Sequence, residues 1–380
     1  MPAPTKTFLF DSLLSESDIC NQKRERDAIL SGVRSGLKLL IYGRRNYGKT
    51  SLVKNVVAKK WLEENPNGFY CYVDLMGVRS LTNISERMTV AFSEAYNCAF
   101  RLNALFQSLL GSLKQLKPTL ELDDSGTPKL SLAMSPQNQP THFVQILRHI
   151  GTLAEKVKIF LVFDEFQDIH DIDESEALLR DALQNLNADI PVIIMGSKEH
   201  LLTSIFAKPK APFFNWGTHI AFQPIAYEDY HAYIQERFHS VHLTIGLAEA
   251  TYLQDKLDRN PEAINRLCYA IQNRPWDHAS ISTADIDAAL ADLVASRRSE
   301  PERYLNHFSS TEQQVMIALA KSGPISHPQS KSFTSSLHIT AAGIGKIIKR
   351  LENDAVIYLG PDGYVLADPL LKNHLLRYRL

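Results

Sequence analysis

The sequence predicts an α/β fold: a parallel-sheet core, then a helical block, then a C-terminal module of helices closed by one hairpin. Three observations predict it. Nearly all-apolar runs alternate with helix-patterned segments through the first half of the chain, as they do where strands are buried on both faces of a parallel sheet. After Lys208-Pro-Lys-Ala-Pro212 the pattern becomes helix after helix, joined by short breaks. The chain then ends in helical patterns followed by Val356-Ile-Tyr-Leu, Gly360-Pro-Asp-Gly363 and Tyr364-Val-Leu, a tight hairpin.

Taken in order, Ile19 to Ser35 is charged and helical in pattern and stops at Gly36, ahead of the buried-strand run Leu37 to Tyr42. A helix from Thr50 to about Glu64 follows, ended by Asn65-Pro66-Asn67-Gly68, and Gly68 to Asp74 reads as the second strand. Ser80 to Lys117 is helical. Thr119-Leu-Glu-Leu-Asp and Lys129-Leu-Ser-Leu-Ala, on either side of Asp124-Ser-Gly-Thr-Pro128, carry a hairpin signature that interrupts the sheet. A helix from Thr141 to Glu155 leads back to the strand Val157 to Phe163, and Glu176 to Leu186 to the strand Ile190 to Met195. The helical block has members at Tyr227 to Phe238, Leu247 to Leu257, Pro261 to Gln272 and Thr283 to Ser296. In the last module, Ser310 to Lys321 is a helix, a Ser/Pro-rich loop follows, and Thr340 caps a helix whose Ile344, Ile347, Ile348 and Leu351 share one face. Helices with one terminal hairpin describe a winged helix.

Composition excludes several classes. With 44% hydrophobic and 22% charged residues in 380, the chain is globular and long enough for two or three domains. No apolar run reaches membrane-spanning length and Met1 to Leu14 lacks a signal pattern, so a cytoplasmic protein without membrane contact is expected. Cys20, Cys71, Cys98 and Cys268 form no C-x-x-C pair, and no His spacing of the zinc type occurs among the 13 histidines. Cys71 and Cys268, in apolar surroundings, are expected to be buried. The net charge of −1 hides a basic stretch, Ile19 to Trp61, with 11 Lys and Arg against Glu25 and Asp27.

The sharpest chemical signal is Gly43-Arg44-Arg45-Asn46-Tyr47-Gly48-Lys49-Thr50, a full match to G-x-x-x-x-G-K-[ST] at a strand-to-helix junction. Phosphate oxygens need several N–H donors converging from one side, and a Gly-containing turn feeding a helix N-terminus supplies them. Lys49 is then expected at the β- and γ-phosphates and the Thr50 hydroxyl on magnesium. Phe160-Leu-Val-Phe delivers Asp164 and Glu165 to a strand end: Asp164 is the candidate magnesium ligand, Glu165 the candidate base for an attacking water. The bland reading of such a pair, the cap of the next helix, loses ground beside the loop. Ser197, after Met195-Gly196, either senses the γ-phosphate or caps the helix Lys198 to Phe206. Asp74 supports the magnesium shell or, more in keeping with its place, a loop. Arg45 adds a cation beside Lys49 or pairs with an acid; Gln167 and Asp168 are weaker candidates. His170, His200 and His219 lie near element ends without a ligand pattern, and Lys208 and Lys210 read as a solvated loop.

These motifs together, Tyr42-Gly-Arg-Arg-Asn-Tyr-Gly-Lys-Thr-Ser-Leu52, Val73-Asp74, Val162-Phe-Asp-Glu-Phe-Gln167, Gly196-Ser197 and Asp362-Gly-Tyr-Val-Leu-Ala-Asp-Pro-Leu370, resemble the archaeal-type ATPase family of the STAND class, P-loop NTPases close to the AAA+ proteins and also found in bacteria. The resemblance implies a P-loop NTPase parallel-sheet core, a helical lid subdomain and a C-terminal winged-helix domain, with ATP and Mg2+ as cofactors and adenine between core and lid. It adds Ser51 and Pro261 to the nucleotide-binding residues, Pro261 by fixing a helix start in Asp258-Arg-Asn-Pro261, where the family has a Gly-x-Pro type turn. Arg259 or Arg266 are then candidate phosphate contacts. Asn215 stands where the family often carries an Arg, a departure that weakens the case for efficient, self-sufficient turnover.

The expected organisation is therefore a core over residues 1–220, with a helical and hairpin insertion at about 80–157, a lid over 221–300 and a winged helix over 301–380. The expected function is magnesium-dependent ATP hydrolysis used as a conformational switch, with Lys49, Glu165 and Ser197 as the catalytic candidates and Thr50 and Asp164 as metal ligands. A non-enzymatic ATP/ADP-binding regulator and a DNA-associated motor or loader are the alternatives. Lys346, Lys349 and Arg350 on the winged helix form a phosphate-contact pattern, yet Leu305 to Leu380 holds eight Lys and Arg against five acids. DNA, a protein partner and docking within the chain all stay open for that module.

Overall fold

The computed structural model describes residues 6–20, 22–100, 118–122, 128–132 and 139–379. They fall into two compact units: Leu13–Gln223, and Pro224–Leu380 together with the N-terminal residues up to Ser12.

The first unit is an α/β sandwich. Helix α1 (Lys23–Arg34) leads into strand β1 (Lys38–Tyr42), and a glycine-bounded loop opens a continuous helical rod of α2 (Lys49–Leu52), a π-turn (Val53–Val57) and α3 (Ala58–Glu64). Strand β2 (Phe69–Asp74) and helix α4 (Leu81–Phe100) follow. Strands β3 (Pro118–Leu122) and β4 (Pro128–Leu132) pair antiparallel, the expected hairpin excursion. Its turn at 123–127 and the expected helical residues 101–117 lie outside the described residues. Helix α5 (His142–Leu153), strand β5 (Ile159–Asp164), helix α6 (Ser175–Gln184), strand β6 (Val192–Gly196), helix α7 (Glu199–Phe206) and strand β7 (Thr218–Ala221) complete the unit.

Five strands form one parallel sheet in the order β2-β5-β6-β1-β7. The period-2 pleat sorts their apolar residues: Leu39, Ile41, Phe160, Val162, Ile193 and Met195 pack on the face of α1 and the P-loop rod, while Leu40, Leu161, Phe163, Val192 and Ile194 pack on the opposite face with α4 to α6. Both faces are covered, which is why these strands read as unbroken apolar runs. Strand β7 escaped the sequence reading because it is a short edge strand with Thr218 and His219 exposed.

In the second unit, helices α8 (Tyr227–His239), α9 (Leu247–Lys256), α10 (Pro261–Gln272) and α11 (Thr283–Ser296) match the expected block, joined by a two-residue parallel ladder of β8 (Thr244–Ile245) and β9 (Ser280–Ile281). Asn260 caps α10, its side-chain oxygen accepting the Ala263 N–H at 3.1 Å, with Pro261 at the first helical position. The N-terminal segment packs here: Phe8 is buried edge-on against Tyr233 and Phe238, and the Asn265 amide donates to the Leu9 carbonyl at 2.8 Å.

The remainder is a winged helix: α12 (Ser299–Leu305), α13 (Ser310–Ser322), α14 (Lys331–Leu337), α15 (Ala341–Asn353), the hairpin of β10 (Ile357–Gly360) and β11 (Gly363–Leu366), and α16 (Pro369–Tyr378). Ser309 and Glu312 make a capping box at α13, and Thr340 caps α15 by accepting from Gly343 N–H. The Ser/Pro-rich loop expected before Thr340 is in part helix α14, whose short apolar face is the pair Phe333 and Leu337 among serines and threonines. Ile344, Ile348 and Leu351 of α15 pack with Val315, Met316 and Leu319 of α13 and with Leu371 and Leu375 of α16 in one core. Among the described residues no helix is long and apolar enough to cross a membrane.

Candidate functional site

The strand order assembles the site. Strand β6 lies between β1 and β5, so the Gly43–Gly48 loop, Gly196-Ser197 and Asp164-Glu165 leave three adjacent strands at the same, carboxyl edge of the sheet. In parallel sheets that edge is where ligands bind. Gly48 has φ 79°, a left-handed conformation that a Cβ would strain, and from it the chain turns directly into α2. Tyr47 is buried, and the Gln22 amide donates to its carbonyl at 2.7 Å. Behind the loop, Ser51 accepts the Leu14 N–H at 3.1 Å and the Asn55 amide donates to the Leu14 carbonyl at 2.8 Å, so the segment before α1 braces the rod.

Lys49 is buried and donates to the carbonyls of Gly43 and Arg44, each at 2.8 Å. An ammonium has three N–H bonds, so one remains for an anionic oxygen. Burial pulls its pKa down to about 8 against the opposing pull of the Glu165 and Asp164 charges. Arg45 and Asn46 are exposed at the loop crest, and Arg44 reaches the Tyr47 hydroxyl at 3.4 Å.

Thr50 and Asp164 meet: the hydroxyl donates to Oδ2 at 2.8 Å. The same oxygen accepts the Tyr72 hydroxyl, and Oδ1 accepts the Glu165 N–H at 2.8 Å. Burial raises the Asp164 carboxyl above the usual carboxylate range, while the Tyr72 and Thr50 donors pull it back. This pair is an all-oxygen donor set suited to a hard divalent cation. Among the described residues no group of three or more His, Cys, Asp or Glu forms a metal cluster. One hydroxyl and one carboxylate fit Mg2+, which takes the rest of its octahedron from phosphate and water.

Glu165 sits at φ 48°, a left-handed turn that swings its side chain away from that of Asp164. Its carboxylate accepts the Ser197 hydroxyl at 3.0 and 3.3 Å and the Gln167 amide. Ser197 thus engages Glu165, and α7 has Lys198 at its cap position with no side-chain capping bond, which removes the helix-cap reading of Ser197. Gln167 is buried, packed over Gly196 where a Cβ would collide with its side-chain oxygen. Asp74 accepts the Met76 N–H at 2.9 Å and so supports its own loop, while Asp168 accepts the Gly77 N–H at 2.8 Å and lies 3.5 Å from Lys198.

The other sequence candidates sit on other elements. Pro261 belongs to the second unit, as do Arg259, over the Tyr227 ring at 4.1 Å and bonded to the Ile225 carbonyl, and Arg266, paired with Glu262 and Asp11 at 2.6 Å each. His170 pairs with Glu176, and His219 stands edge-on to Tyr42. Cys71 and Cys268 are buried as expected. On the winged helix, Lys346 and Lys349 are not tied by any ion pair among the described residues, but Arg350 reaches Glu312 at 2.7 Å and Asp354 at 3.8 Å, so the expected trio of phosphate contacts is reduced. Sequence reasoning missed Tyr72 and Gln22. Tyr72 carried a usable signal, since in parallel register it sits beside Val162, two residues short of the Asp74–Asp164 pair.

Residues 301–377 match the family model described as a probable winged helix domain. No curated protein matches the chain. A Walker-type ATPase of Pyrococcus abyssi superposes over 97% of this chain and 99% of its own, at 14% identity and a TM-score of 0.63. The ORC2 protein of Aeropyrum pernix, in its ADPNP-ADP complexes, covers 94% and 95% at 14% identity and 0.51. The ORC1 protein of the same organism, in complex with DNA, covers 94% and 93% at 12% identity and 0.50. At these identities the likeness is one of fold: a mostly parallel, P-loop-like sheet core followed by helical segments and a winged helix.

Proposed function

We propose that the chain is a magnesium-dependent ATPase of the AAA+-like type that uses its nucleotide as a conformational switch. The observation that carries the reading is the convergence on one sheet edge of a buried Lys49 with an N–H to spare, the Thr50–Asp164 oxygen pair and Glu165. Backbone N–H groups of 43–50 would cradle the phosphates, with Arg44, Arg45, Asn46, Tyr47 and Ser51 around them. Thr50 and Asp164 would hold Mg2+, which when bound neutralises phosphate charge. Glu165 would take a proton from the attacking water, and Ser197 would hold Glu165 at the angle from which it does so. We further propose to read residues 1–220 as the ATPase core, 221–300 as a lid contributing Pro261, and 301–380 as the winged-helix output, with protein or DNA as its partner. The archaeal-type STAND family is the finer assignment that the motifs favour.

The fold likeness to a protein named a Walker-type ATPase supports this reading. A second reading, a nucleotide-binding regulator without turnover, is favoured by one observation: the Glu165 carboxylate is engaged by both Ser197 and Gln167. Phosphate release from ATP by the full chain, with Mg2+ and with EDTA, decides between them, with Glu165→Gln as the control. Turnover that needs Mg2+ and falls about 100-fold or more in Glu165→Gln, with ATP binding retained, is expected. Tight ATP binding with release equal in both proteins would establish the regulator.

A further inference from the structure

From the geometry around Asp164 we infer that Tyr72 is a positioning residue for the metal: its hydroxyl, with that of Thr50, saturates one carboxylate oxygen and leaves a single direction on the other for a divalent cation or its water. The inference rests on the nucleotide site proposed above and concerns a residue outside every motif that identified it.

A carboxylate offers about four acceptor directions, two on each oxygen. Here Oδ2 accepts two hydroxyls, Thr50 at 2.8 Å and Tyr72, and Oδ1 accepts the Glu165 N–H at 2.8 Å. Three of the four directions are therefore used, from three different elements: the P-loop helix, strand β2 and the backbone after β5. The one that remains is on Oδ1. With only Thr50 on Oδ2 and the Glu165 N–H on Oδ1, each oxygen would keep one direction open and the carboxylate could rock about its Cβ–Cγ bond. Tyr72 removes that freedom, because its ring is itself fixed between strand and helix. It stands on β2, hydrogen-bonded to β5, and the Lys54 ammonium lies 3.8 Å over its ring centroid. Lys54 belongs to the π-turn Val53–Val57, an irregularity in the rod just past the phosphate loop. Such turns are rare in helices and frequent at functional sites. The relay Lys54, Tyr72, Asp164 links the helix that carries Thr50 to the carboxylate that Thr50 serves. Partners of a metal ligand that orient it in this way commonly change metal affinity 10- to 100-fold.

The test uses the full chain, ATPγS as nucleotide and Mn2+ as the spin-active substitute for Mg2+. In Tyr72→Phe, the Mn2+ affinity of the ATPγS complex, read by electron paramagnetic resonance, should fall about tenfold. ATPγS affinity in EDTA should stay within about twofold of wild type, a split that a merely structural role for the tyrosine would not produce. Equal Mn2+ affinity in the two proteins, or equal losses with and without metal, overturns the role of Tyr72 while leaving the nucleotide site standing. A wild-type chain that binds neither ATPγS nor Mn2+ overturns the site and the inference together. Should Tyr72→Phe fail to fold, Lys54→Met decides. It keeps the hydroxyl but releases the ring, and a cation–π contact corresponds to about 2- to 5-fold at the solvent-exposed end of its range. That loss of Mn2+ affinity supports the relay, and none overturns it.

Discussion

The sheet edge and helix α15 both carry basic residues, and they hold them in opposite ways. At the sheet edge, Lys49 is buried, its charge is held down by burial, and two loop carbonyls aim it. On α15, Arg350 is half-exposed and shares its charge with Glu312 and Asp354, while Lys346 and Lys349 project from the helix surface. Burying an ammonium costs free energy that the fold recovers only if something anionic meets it. An exposed lysine on a helix costs almost nothing and so carries little information about a partner. The difference teaches that in this molecule the nucleotide reading rests on a buried cation aimed by its own loop, and the DNA reading on solvent-exposed cations of which one, Arg350, is already paired.

The comparison breaks most readily at Lys49. Lys49→Ala should weaken ATP binding about 10- to 100-fold, the range for a charge-assisted hydrogen bond lost from a desolvated site, measured by titration with a fluorescent analogue. Affinity unchanged in a folded variant would mean that the buried cation serves only its own loop. The same group makes a signed statement about stability. Its pKa lies near 8 when folded, below the ordinary lysine value, so between about pH 8 and 10.5 the unfolded chain binds more protons and stability rises with pH. Below pH 8 both states are protonated and this contribution is flat. Melting curves of wild type and Lys49→Met across that window should converge at high pH in the wild type's favour.

A smaller effect is expected one layer back. Gly196→Ala puts a Cβ where the Gln167 side-chain oxygen now lies, so the amide must leave Glu165 or the strand end must shift. If Gln167 helps Ser197 orient the base, turnover should fall about tenfold with ATP affinity kept, a kcat effect without a KM effect. If instead Gln167 restrains the base, the same variant should release phosphate faster than wild type. Either sign locates the control of Glu165 in the Gly196–Gln167 contact, and an unchanged rate removes it.

Much of this was legible in the sequence because the signals were local. The loop from Gly43 to Thr50 needs only its own residues, and a strand buried on both faces announces itself by an unbroken apolar run ending in Asp164-Glu165. What stayed hidden is contributed across strands or from far along the chain. Tyr72 is polar at its tip but reads as one more strand aromatic until the register sets it beside Val162, from where its hydroxyl reaches Asp164. Gln22, in a charged helical pattern, gives no sign that it will reach the Tyr47 carbonyl. Phe8 looks like a terminal residue, yet it is a core residue of the second unit. On α15 the sequence is silent on a partner: nothing in it tells that Arg350 meets Glu312 of α13 at 2.7 Å.

The last prediction concerns that pair and carries the smallest effect. Glu312 is buried, and besides Arg350 it serves the Ser309 capping box, which together hold its carboxyl below the usual range despite burial. Arg350→Ala leaves the capping bonds in place and removes an ion pair that is more than half open to solvent on the arginine side. Such a pair is worth roughly 0.5–1 kcal/mol, so the variant should unfold slightly more easily in urea. Lys346→Ala and Lys349→Ala, with no ion-pair partner among the described residues, should leave stability unchanged. Titration against duplex DNA at two salt concentrations then sharpens the contrast between the two basic regions. If Arg350 is a structural group, its loss should change DNA association less than loss of either lysine, and any association should follow the lysines with the salt dependence of phosphate contacts. If Arg350→Ala instead abolishes strong, salt-sensitive binding while stability hardly moves, its pairing with Glu312 is one that DNA displaces, and the winged helix belongs with the sheet edge as a phosphate-binding surface.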